Sequence, residues 1–358
     1  MHDKENATRA LVDRIKELNV EMRVMHVCGT HQDTIVKNGL EELLKRAGIE
    51  IIQGPGCPVC VTTTKEIEEA IALARDGKTL ATFGDMMRVP GEKCSLMDAR
   101  AEGCDVRVVY SVEDCLKIAT NEKKEVVFMA IGFETTAPST AYVLGSEPPE
   151  NFSVLSCHRL IPPAMSALLR MGEVRIDGFI DPGHVSTIIG MKPYESVTEE
   201  YKIPQVIAGF EAYDVLLACY MLALQFKNRT SKVENEYKRA VRHDGNDTAL
   251  KLINEVFKKR TEKWRGFPEI ENSVLAPREC DHDARRIYED ALEDIKSREF
   301  VEPEGCRCGD VLRGIIKSWD CPLFGKACRP DKPVGPCMVS REGSCNISFR
   351  HGLLTKGA

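Results

Sequence analysis

Short apolar runs alternate with amphipathic stretches from Met22 to about Phe226. The amphipathic stretches, such as residues 34–46 and 65–75, carry apolar residues at helical spacing, while the apolar runs have the length and flanking residues of buried strands. Strands that alternate with helices predict right-handed βαβ units and parallel sheets, so the expected fold class is α/β with Rossmann-like units. The predicted strands are residues 23–27, 49–52, 79–83, 106–110, 126–131, 152–156, 178–180 and 205–208.

Two segments of this region are nearly identical, Ala-Ile-Gly-Phe-Glu at 130–134 and Ile-Ala-Gly-Phe-Glu at 207–211. Each ends an apolar run and precedes a helical pattern, and its glycine allows a sharp turn between them. This echo indicates two similar parallel-sheet domains that face each other across a cleft. We predict an N-terminal helix in residues 1–21, a first α/β domain in 22–130 and a second in 131–226.

The composition changes near Lys227, where a highly charged stretch begins. Helical patterns follow in residues 248–264 and 281–297, and from Val301 onward proline, glycine and cysteine dominate. We therefore predict that residues 227–358 form a mostly helical third domain with a metal-binding tail.

Charge and hydropathy exclude several classes of protein. The 358 residues carry a net charge of −6, which argues against an electrostatic nucleic-acid binder. The longest apolar run, about ten residues at 215–224, is too short to cross a bilayer. The charged N-terminus lacks the apolar core of a secretion signal, so we expect a cytoplasmic protein.

Cysteine is unusually frequent, with 15 residues in the chain. Cys115 and Cys219 lie on apolar helical stretches and are read as core residues. In a reducing compartment the clustered tail cysteines indicate metal binding or electron exchange. An iron–sulfur cluster needs four thiolates, which leaves two thiols for a disulfide, and a zinc site with unused thiols is the alternative. The tail cysteines are Cys306, Cys308, Cys321, Cys328, Cys337 and Cys345.

Two more cysteine motifs follow predicted strands, at the sheet edge where ligands bind in parallel α/β folds. In Cys-Gly-Thr-His, a helix N-terminus would lower the pKa of Cys28, and His31 is a candidate base, ligand or orienting group, or half of a buried structural pair. In Gly-Pro-Gly-Cys-Pro-Val-Cys, Cys57 and Cys60 precede a capping box and favour a redox dithiol over zinc, because no second C-x-x-C follows at suitable spacing.

Other polar residues follow strands in the motifs Phe-Gly-Asp-Met-Met-Arg-Val-Pro-Gly and Gly-Phe-Glu-Thr-Thr-Ala-Pro. Asp85, Glu134 and His184 are candidates to line the same cleft, and His158 also follows a strand. Helix capping explains the acids, and a structural role explains each histidine at least as well as a functional one.

These four motifs, in this order, together with the tail segments Gly-Cys-Arg-Cys-Gly and Cys-Pro-Leu-Phe-Gly-Lys-Ala-Cys, resemble the HypD family of [NiFe]-hydrogenase maturation proteins from about Met22 to Cys345. The resemblance implies two α/β domains, a third domain with a [4Fe-4S] cluster, and a scaffold with redox activity rather than a conventional enzyme. Its implied task is to assemble the Fe(CN)2CO group with a HypC-type chaperone and a HypE-type cyanide donor, and we expect a monomer when these are absent.

The resemblance also implies roles for the cysteines. Cys28 would bind the iron of a transient Fe(CN)2CO group together with a cysteine of the HypC-type partner, with His31 close by. Cys57 and Cys60 would form a redox pair. Cys308 and Cys337 would form a second pair beside the cluster, an arrangement similar to that of ferredoxin:thioredoxin reductase. The implied cluster ligands are Cys306, Cys321, Cys328 and Cys345.

Two other functions fit part of this pattern. A stand-alone iron–sulfur oxidoreductase for protein disulfides would use the tail and Cys57/Cys60 but would not need Cys28. A zinc-binding, purely structural partner of other subunits would contain zinc and no visible chromophore. A radical-SAM enzyme is disfavoured because its usual C-x3-C-x2-C spacing does not occur. Without a Walker loop or a G-x-G-x-x-G motif, we expect no nucleotide requirement.

Overall fold

A computed structural model describes residues 2–279 and 281–353 of the chain, with side chains from residue 8 onward. Within this part of the chain, no helix is long and apolar enough to cross a membrane. Its strands are β1 (Met22–His26), β2 (Ile49–Gln53), β3 (Thr79–Thr82), β4 (Val106–Val108), β5 (Val126–Gly132), β6 (Phe152–His158), β7 (Gly178–Pro182), β8 (Gln205–Ala208), β9 (Val233–Asn235), β10 (Phe257–Lys263) and β11 (Glu269–Pro277).

Helices connect most of these strands, and two short 3₁₀ turns lie at Gly84–Arg88 and Ser318–Asp320. The α-helices are α1 (His2–Leu18), α2 (Gly29–Lys37), α3 (Leu40–Arg46), α4 (Pro58–Val61), α5 (Thr64–Arg75), α6 (Leu96–Ala101), α7 (Val112–Asn121), α8 (Ala137–Leu144), α9 (Ile161–Met171), α10 (Gly183–Ile189), α11 (Lys192–Tyr201), α12 (Ala212–Asn228), α13 (Asp247–Val256), α14 (Ala284–Ile287), α15 (Glu289–Lys296), α16 (Cys308–Leu312), α17 (Pro336–Val339) and α18 (Ser344–Arg350).

The predicted α/β fold class is confirmed, because the strands up to β9 form two parallel sheets. The first sheet has the order β2-β1-β7-β8-β9, and the second has the order β4-β3-β5-β6. All eight strands predicted from the apolar runs are present within one or two residues of their expected ends. One hydrophobic core includes side chains of both sheets, such as Met25 and Ile52 from the first and Val127 and Leu155 from the second.

The strands are shared between the sheets in a way that differs from the predicted division at residue 130. The chain forms β1 and β2 of the first sheet, builds the whole second sheet from β3 to β6, and then returns to the first sheet with β7. His26 of β1 therefore pairs with Ile180 of β7, and β5 continues across the predicted boundary. Parallel strands need not be neighbours in sequence, because a crossover connection joins them.

The part after β9 contains a hairpin that the sequence analysis missed. The predicted helix over 248–264 is wrong in its second half, because α13 ends at Val256 and β10 begins at Phe257. Exposed and less exposed side chains alternate along β10, which is the period of a strand rather than a helix. Antiparallel pairing with β11 fixes this segment. The helical pattern predicted over 281–297 becomes the two helices α14 and α15.

Buried ion pairs connect α5, the helix that follows the Cys57–Cys60 segment, to the end of β6 and to α14. Thr63 and Glu66 form the predicted capping box of α5, and Glu66 also contacts the fully buried Arg159. Burial alone would raise the pKa of Glu66, but Arg159 and Arg285 outweigh it and hold the pKa below its usual value. Arg285 also pairs with Glu69 at 2.8 Å, so the two guanidinium groups and two carboxylates compensate each other's charge.

Candidate functional site

Cys28 lies just beyond the carboxyl end of β1, where it forms the N-cap of α2. The next loop along the chain, after β2, touches it through the backbone. Gly29 N–H donates to Gly56 C=O at 3.1 Å, and a Cβ placed on Gly56 would lie 2.2 Å from the Cys28 nitrogen. Only glycine at position 56 permits this approach. The two cysteine loops after β1 and β2 therefore form one continuous site.

Burial controls the ionisation of Cys28. The residue is only 8% exposed, and burial raises the pKa of its thiol to about 11, while backbone N–H groups of His31 and Thr30 oppose the rise. The prediction that the helix N-terminus would lower this pKa is therefore wrong, since desolvation outweighs the helix field here. A metal that binds this thiol must displace its proton.

His31 is fully buried and has a defined tautomer. Its Nε2 lies 2.9 Å from the carbonyl oxygen of Gly209, and because a carbonyl can only accept, Nε2 must carry the hydrogen. Burial lowers the pKa of His31 to about 4, so the imidazole is neutral near pH 7. Its Nδ1 lone pair has no hydrogen-bond partner among the described residues. A neutral imidazole with a free lone pair can accept a proton or bind a metal.

An aromatic contact joins His31 to the surface. Phe210 lies 5.2 Å from the His31 ring and stacks on His184 at 3.8 Å between ring centroids. His184 is exposed, so it occupies the outer end of this arrangement. The structure thus brings His184 near His31 through Phe210. Phe210 was missed as a site residue, although the repeated Gly-Phe-Glu segment contains it.

Asp181 is a second residue that the sequence analysis did not select. It lies on β7, next to β1, and its carboxyl group is fully buried with neither oxygen hydrogen-bonded to any described residue. Burial raises the pKa of Asp181 well above its usual value, because desolvation disfavours the charged carboxylate. The signal in the sequence was an acid at the end of an apolar strand, before Pro-Gly.

Cys57 and Cys60 form a disulfide in this structure. Pro58 begins the short helix α4 between them, and the Cys60 N–H donates to the Cys57 sulfur at 3.2 Å. Both cysteines are buried. Helix α4 packs against α16 and α17, the helices that carry Cys308 and Cys337. The disulfide segment therefore adjoins the cysteine-rich tail.

The six tail cysteines converge on one small cavity. Their side chains line a space of about 10 Å³, and the sulfurs of Cys308 and Cys337 are 2.8 Å apart. Val334 N–H donates to the Cys328 sulfur at 3.3 Å, and a Cβ on Gly335 would lie 2.6 Å from the Cys306 sulfur. Backbone that approaches sulfur this closely, with N–H groups aimed at it, is typical of iron–sulfur sites.

These thiols strongly affect each other's ionisation. Burial raises the pKa values of Cys306 and Cys328. The pKa of Cys337 is also raised, mainly by its hydrogen-bond contact with Cys308. Cys345 is the exception, since its contact with Cys337 lowers its pKa. Several thiolates in one buried space require a cation to compensate their charge.

The six thiols suit an iron–sulfur cluster, but the cavity between them is smaller than a cluster. Across residues 2–279 and 281–353, no three His, Cys, Asp or Glu side chains are arranged as a closed metal site. A space of about 10 Å³ accommodates little more than one water molecule, so the thiol side chains would have to turn outward around a cluster.

The two remaining acids do not share one cleft. Asp85 is exposed and accepts a hydrogen bond from Ser340 at 2.9 Å, which joins the loop after β3 to the tail. Glu134 accepts from the Ile161 N–H at 3.0 Å and lines a separate cavity, to which neither Cys28 nor His31 contributes. The prediction that the loops after β3 and β5 line the same cleft therefore does not hold for Glu134.

Sequence comparisons show which known proteins this chain is similar to. The HypD family model, described as "Hydrogenase formation hypA family", matches residues 6–352. A putative hydrogenase expression/formation protein of Methanocaldococcus jannaschii is 49% identical over 344 residues, covering 95% of this chain and 95% of the relative. The hydrogenase maturation factor HypD of Cupriavidus necator is 43% identical over 343 residues, covering 92% and 89%.

A third relative, the hydrogenase maturation factor HypD of Azotobacter vinelandii, is 44% identical over 346 residues and covers 93% of this chain and 90% of its own length. The matches thus extend over both sheets and the cysteine-rich tail rather than over one segment. The chain belongs to the HypD family of hydrogenase maturation factors.

Proposed function

We propose that this protein is the scaffold on which the Fe(CN)2CO group of [NiFe]-hydrogenase is assembled, with a HypC-type chaperone and a HypE-type cyanide donor as partners. The observation that supports it most directly is the backbone contact between the Cys28 and Cys57–Cys60 loops. This contact puts a candidate iron ligand beside a two-electron thiol pair.

Cys28 is the proposed ligand of the iron cargo. A thiolate is a soft ligand, and its negative charge favours a cation that also carries strong-field diatomic ligands. The neutral imidazole of His31 has a free Nδ1, which supports a role in binding the metal. Phe210 stacks on the exposed His184 at the outer end of the site. This arrangement supports the surface around His184 as the place where a partner protein approaches.

The Cys57–Cys60 dithiol supplies the two electrons that cyanide transfer requires. Cleavage of the S–C bond of a thiocyanate on the partner's cysteine takes two electrons and yields a thiolate and cyanide. Reduced Cys57 and Cys60 supply these electrons when they form their disulfide, and they release two protons. The oxidised pair in this structure corresponds to the state after such a step, and it must be reduced before the next one.

The tail is the proposed source of electrons for this reduction. Cys306, Cys321, Cys328 and Cys345 would hold a [4Fe-4S] cluster, which supplies single electrons when bound. Cys308 and Cys337 would form the second thiol pair, for which their 2.8 Å separation is support. The packing of α4 on α16 and α17 supports exchange between this pair and Cys57–Cys60.

Anaerobic purification with the partner proteins tests the proposal through iron, sulfide and infrared measurements. We expect infrared bands of iron-bound cyanide and carbon monoxide, and we expect Cys28→Ala to lose them while it keeps the iron and sulfide of the tail. Cys219→Ala, which removes a buried thiol of α12, is the matched control and should keep the bands.

Unchanged cyanide bands in Cys28→Ala would contradict the scaffold function. If the wild-type protein and Cys28→Ala both lacked the bands and still reduced a protein disulfide equally well, the result would favour the alternative that resembles ferredoxin:thioredoxin reductase. Zinc instead of iron in the purified protein would contradict both functions.

A further inference from the structure

A second cavity lies away from the cysteine site, between α9, α11, α13 and the β10–β11 hairpin. Its volume is about 540 Å³, which is within the range of pockets that bind small organic molecules. Much of its wall is apolar, with Leu160, Met171, Ile253 and Leu275 among the lining side chains. Neither Cys28, His31 nor any tail cysteine lines it, so the proposed scaffold function leaves it unexplained.

One buried acid lines this apolar cavity. Glu134 is only 2% exposed, and its Oε1 accepts the Ile161 N–H at 3.0 Å, which caps the start of α9. The other oxygen, Oε2, has no hydrogen-bond partner among the described residues. Capping α9 requires only one oxygen, and a buried polar atom without a partner is costly. The second oxygen is therefore available to a ligand.

The charges around the cavity favour a positively charged ligand. Arg170 and Lys259 are its basic residues, whereas Glu200, Glu269 and Glu271 join Glu134 on the acidic side. Arg170 is also engaged by the hydroxyl of Tyr201. Burial raises the pKa of Glu134 to about 7, with Lys259 opposing the rise, so its carboxylate is available to a cation at neutral and higher pH. Tyr194 is a further titratable group that interacts with Glu134, and it is buried and hydrogen-bonded to Ser186.

We propose that this cavity binds a small organic cation, an apolar body that carries one ammonium or guanidinium group, with Glu134 Oε2 as the acceptor of its N–H. The apolar body would occupy the space between α9 and the β10–β11 hairpin. This site is independent of the iron cargo and of the tail thiols, so it can be tested on the purified protein without partners.

Benzylamine and phenylacetate are matched probes, because they share an aromatic body and differ in charge. Calorimetric titration should show saturable binding of benzylamine, and binding of phenylacetate should be at least about tenfold weaker. Affinity for benzylamine should rise as the pH increases from about 6 to about 8, since Glu134 loses its proton over this interval.

Glu134→Gln is the decisive variant. A glutamine oxygen can still accept the Ile161 N–H, so the cap of α9 is kept while the charge is removed. We expect benzylamine affinity to fall about tenfold or more and its pH dependence to disappear. Ala167→Trp, which adds a large side chain from the half-buried face of α9, should remove binding of both probes.

Circular dichroism of each variant establishes that it is folded before titration. Absence of saturable benzylamine binding to the folded wild-type protein would overturn the proposal. Equal affinity for the two probes, or unchanged benzylamine affinity and pH dependence in folded Glu134→Gln, would overturn it as well.

Discussion

Three buried imidazoles near the two sheets are held neutral by their surroundings. Burial is the main cause that lowers the pKa of His26 to about 3 and those of His31 and His158 to about 4. A neutral imidazole contributes a lone pair rather than a charge, as the proposed role of His31 beside a metal requires. These histidines also make the stability of the protein sensitive to acid.

His158 provides a test of this acid sensitivity. The unfolded chain takes up a proton near pH 6.5, whereas folded His158 does so only near its pKa of about 4, so stability is retained above pH 6.5 and lost as the pH falls. As the pH falls between these two values, the free energy of unfolding should decrease less steeply for His158→Asn than for the wild type. The two slopes should differ by about 1.4 kcal/mol per pH unit. Urea unfolding from about pH 8 to about pH 4.5 measures both slopes.

Values at about pH 8, where the imidazole is neutral in both states, give the effect of losing the hydrogen bond between His158 and Thr140. Parallel slopes for the two proteins at lower pH would contradict the assignment of a buried, neutral His158.

The identities of the site residues could be predicted better than their ionisation. The position of Cys28 after an apolar strand and before a helix was sufficient to select it, and Cys57 and Cys60 followed from their spacing. The pKa of Cys28 was predicted with the wrong sign because the sequence shows the helix N-terminus but not the residues that exclude water. Asp181 was missed for the same reason, since its importance lies in its burial.

At the scale of elements, the turn after β2 determines how the cysteine loops meet. The turn after β2 brings Gly56 against the backbone of Cys28, and α4 begins directly after it with Cys57 at its N-cap. Because the contact is between backbone atoms, no side-chain rotation can relieve an added methyl group.

Gly56→Ala should therefore damage both loops at once. Its Cβ would lie 2.2 Å from the Cys28 nitrogen, and we expect a loss of about 1–3 kcal/mol of unfolding free energy together with a loss of cargo iron. Urea unfolding and iron analysis after anaerobic purification measure the two effects. Gly84→Ala is the control, since its Cβ would meet only Val108 at an ordinary 3.5 Å. Equal stability and iron content in the two variants would show that the close approach is not required.

The helices and strands were predictable where the apolar residues follow one clear spacing, either that of a helix or that of a strand. Apolar runs between turn residues gave all eight strands of the sheets up to β8. The predicted helix over 34–46 is instead two helices, because Gly39 adopts φ +62° and interrupts it. The strand β10 was missed because its many lysine and arginine residues also suit a helix, and only pairing with β11 selects the extended form.

At the scale of the whole molecule, the tail connects both sheets. Glu342 packs against Gly29 at the start of α2, and Arg350 pairs with Asp33 of the same helix at 3.2 Å. Ser340 donates to Asp85 in the loop after β3 of the other sheet. The segment that carries Cys337 and Cys345 is thereby held against the loops that follow β1 and β3.

The contact between Asp85 and Ser340 can be measured by a double-mutant cycle. We expect Asp85→Ala and Ser340→Ala to be non-additive by about 1 kcal/mol, as for one hydrogen bond to a partly exposed carboxylate. Urea unfolding of both single variants and the double variant gives this coupling energy. Asp85→Ala combined with Ser231→Ala, whose hydroxyl bonds to Lys202 instead, should be additive. Additivity in the first pair would mean that this contact does not hold the tail.

The order of strands within the sheets could not be read from the chain. Each strand is apolar enough to pair with several others, and only the crossover connections and the packing of side chains select β7 rather than β3 as the neighbour of β1. Convergence of the six tail cysteines was expected because they are close in sequence. Their contact with α4 depends on the tertiary arrangement, which the spacing of the motifs does not contain.

The return of the chain to its first sheet has a consequence for biosynthesis. Arg23 of β1 bonds to Asp177, 154 residues later, so half of the polypeptide must leave the ribosome before β1 gains its neighbour β7. Throughout that time the nascent chain exposes Cys28 to oxidants and to stray metal ions, because the walls that bury it have not been translated. The proposed loading of Cys28 with iron therefore belongs after translation, and keeping the emerging thiol reduced would protect it until then.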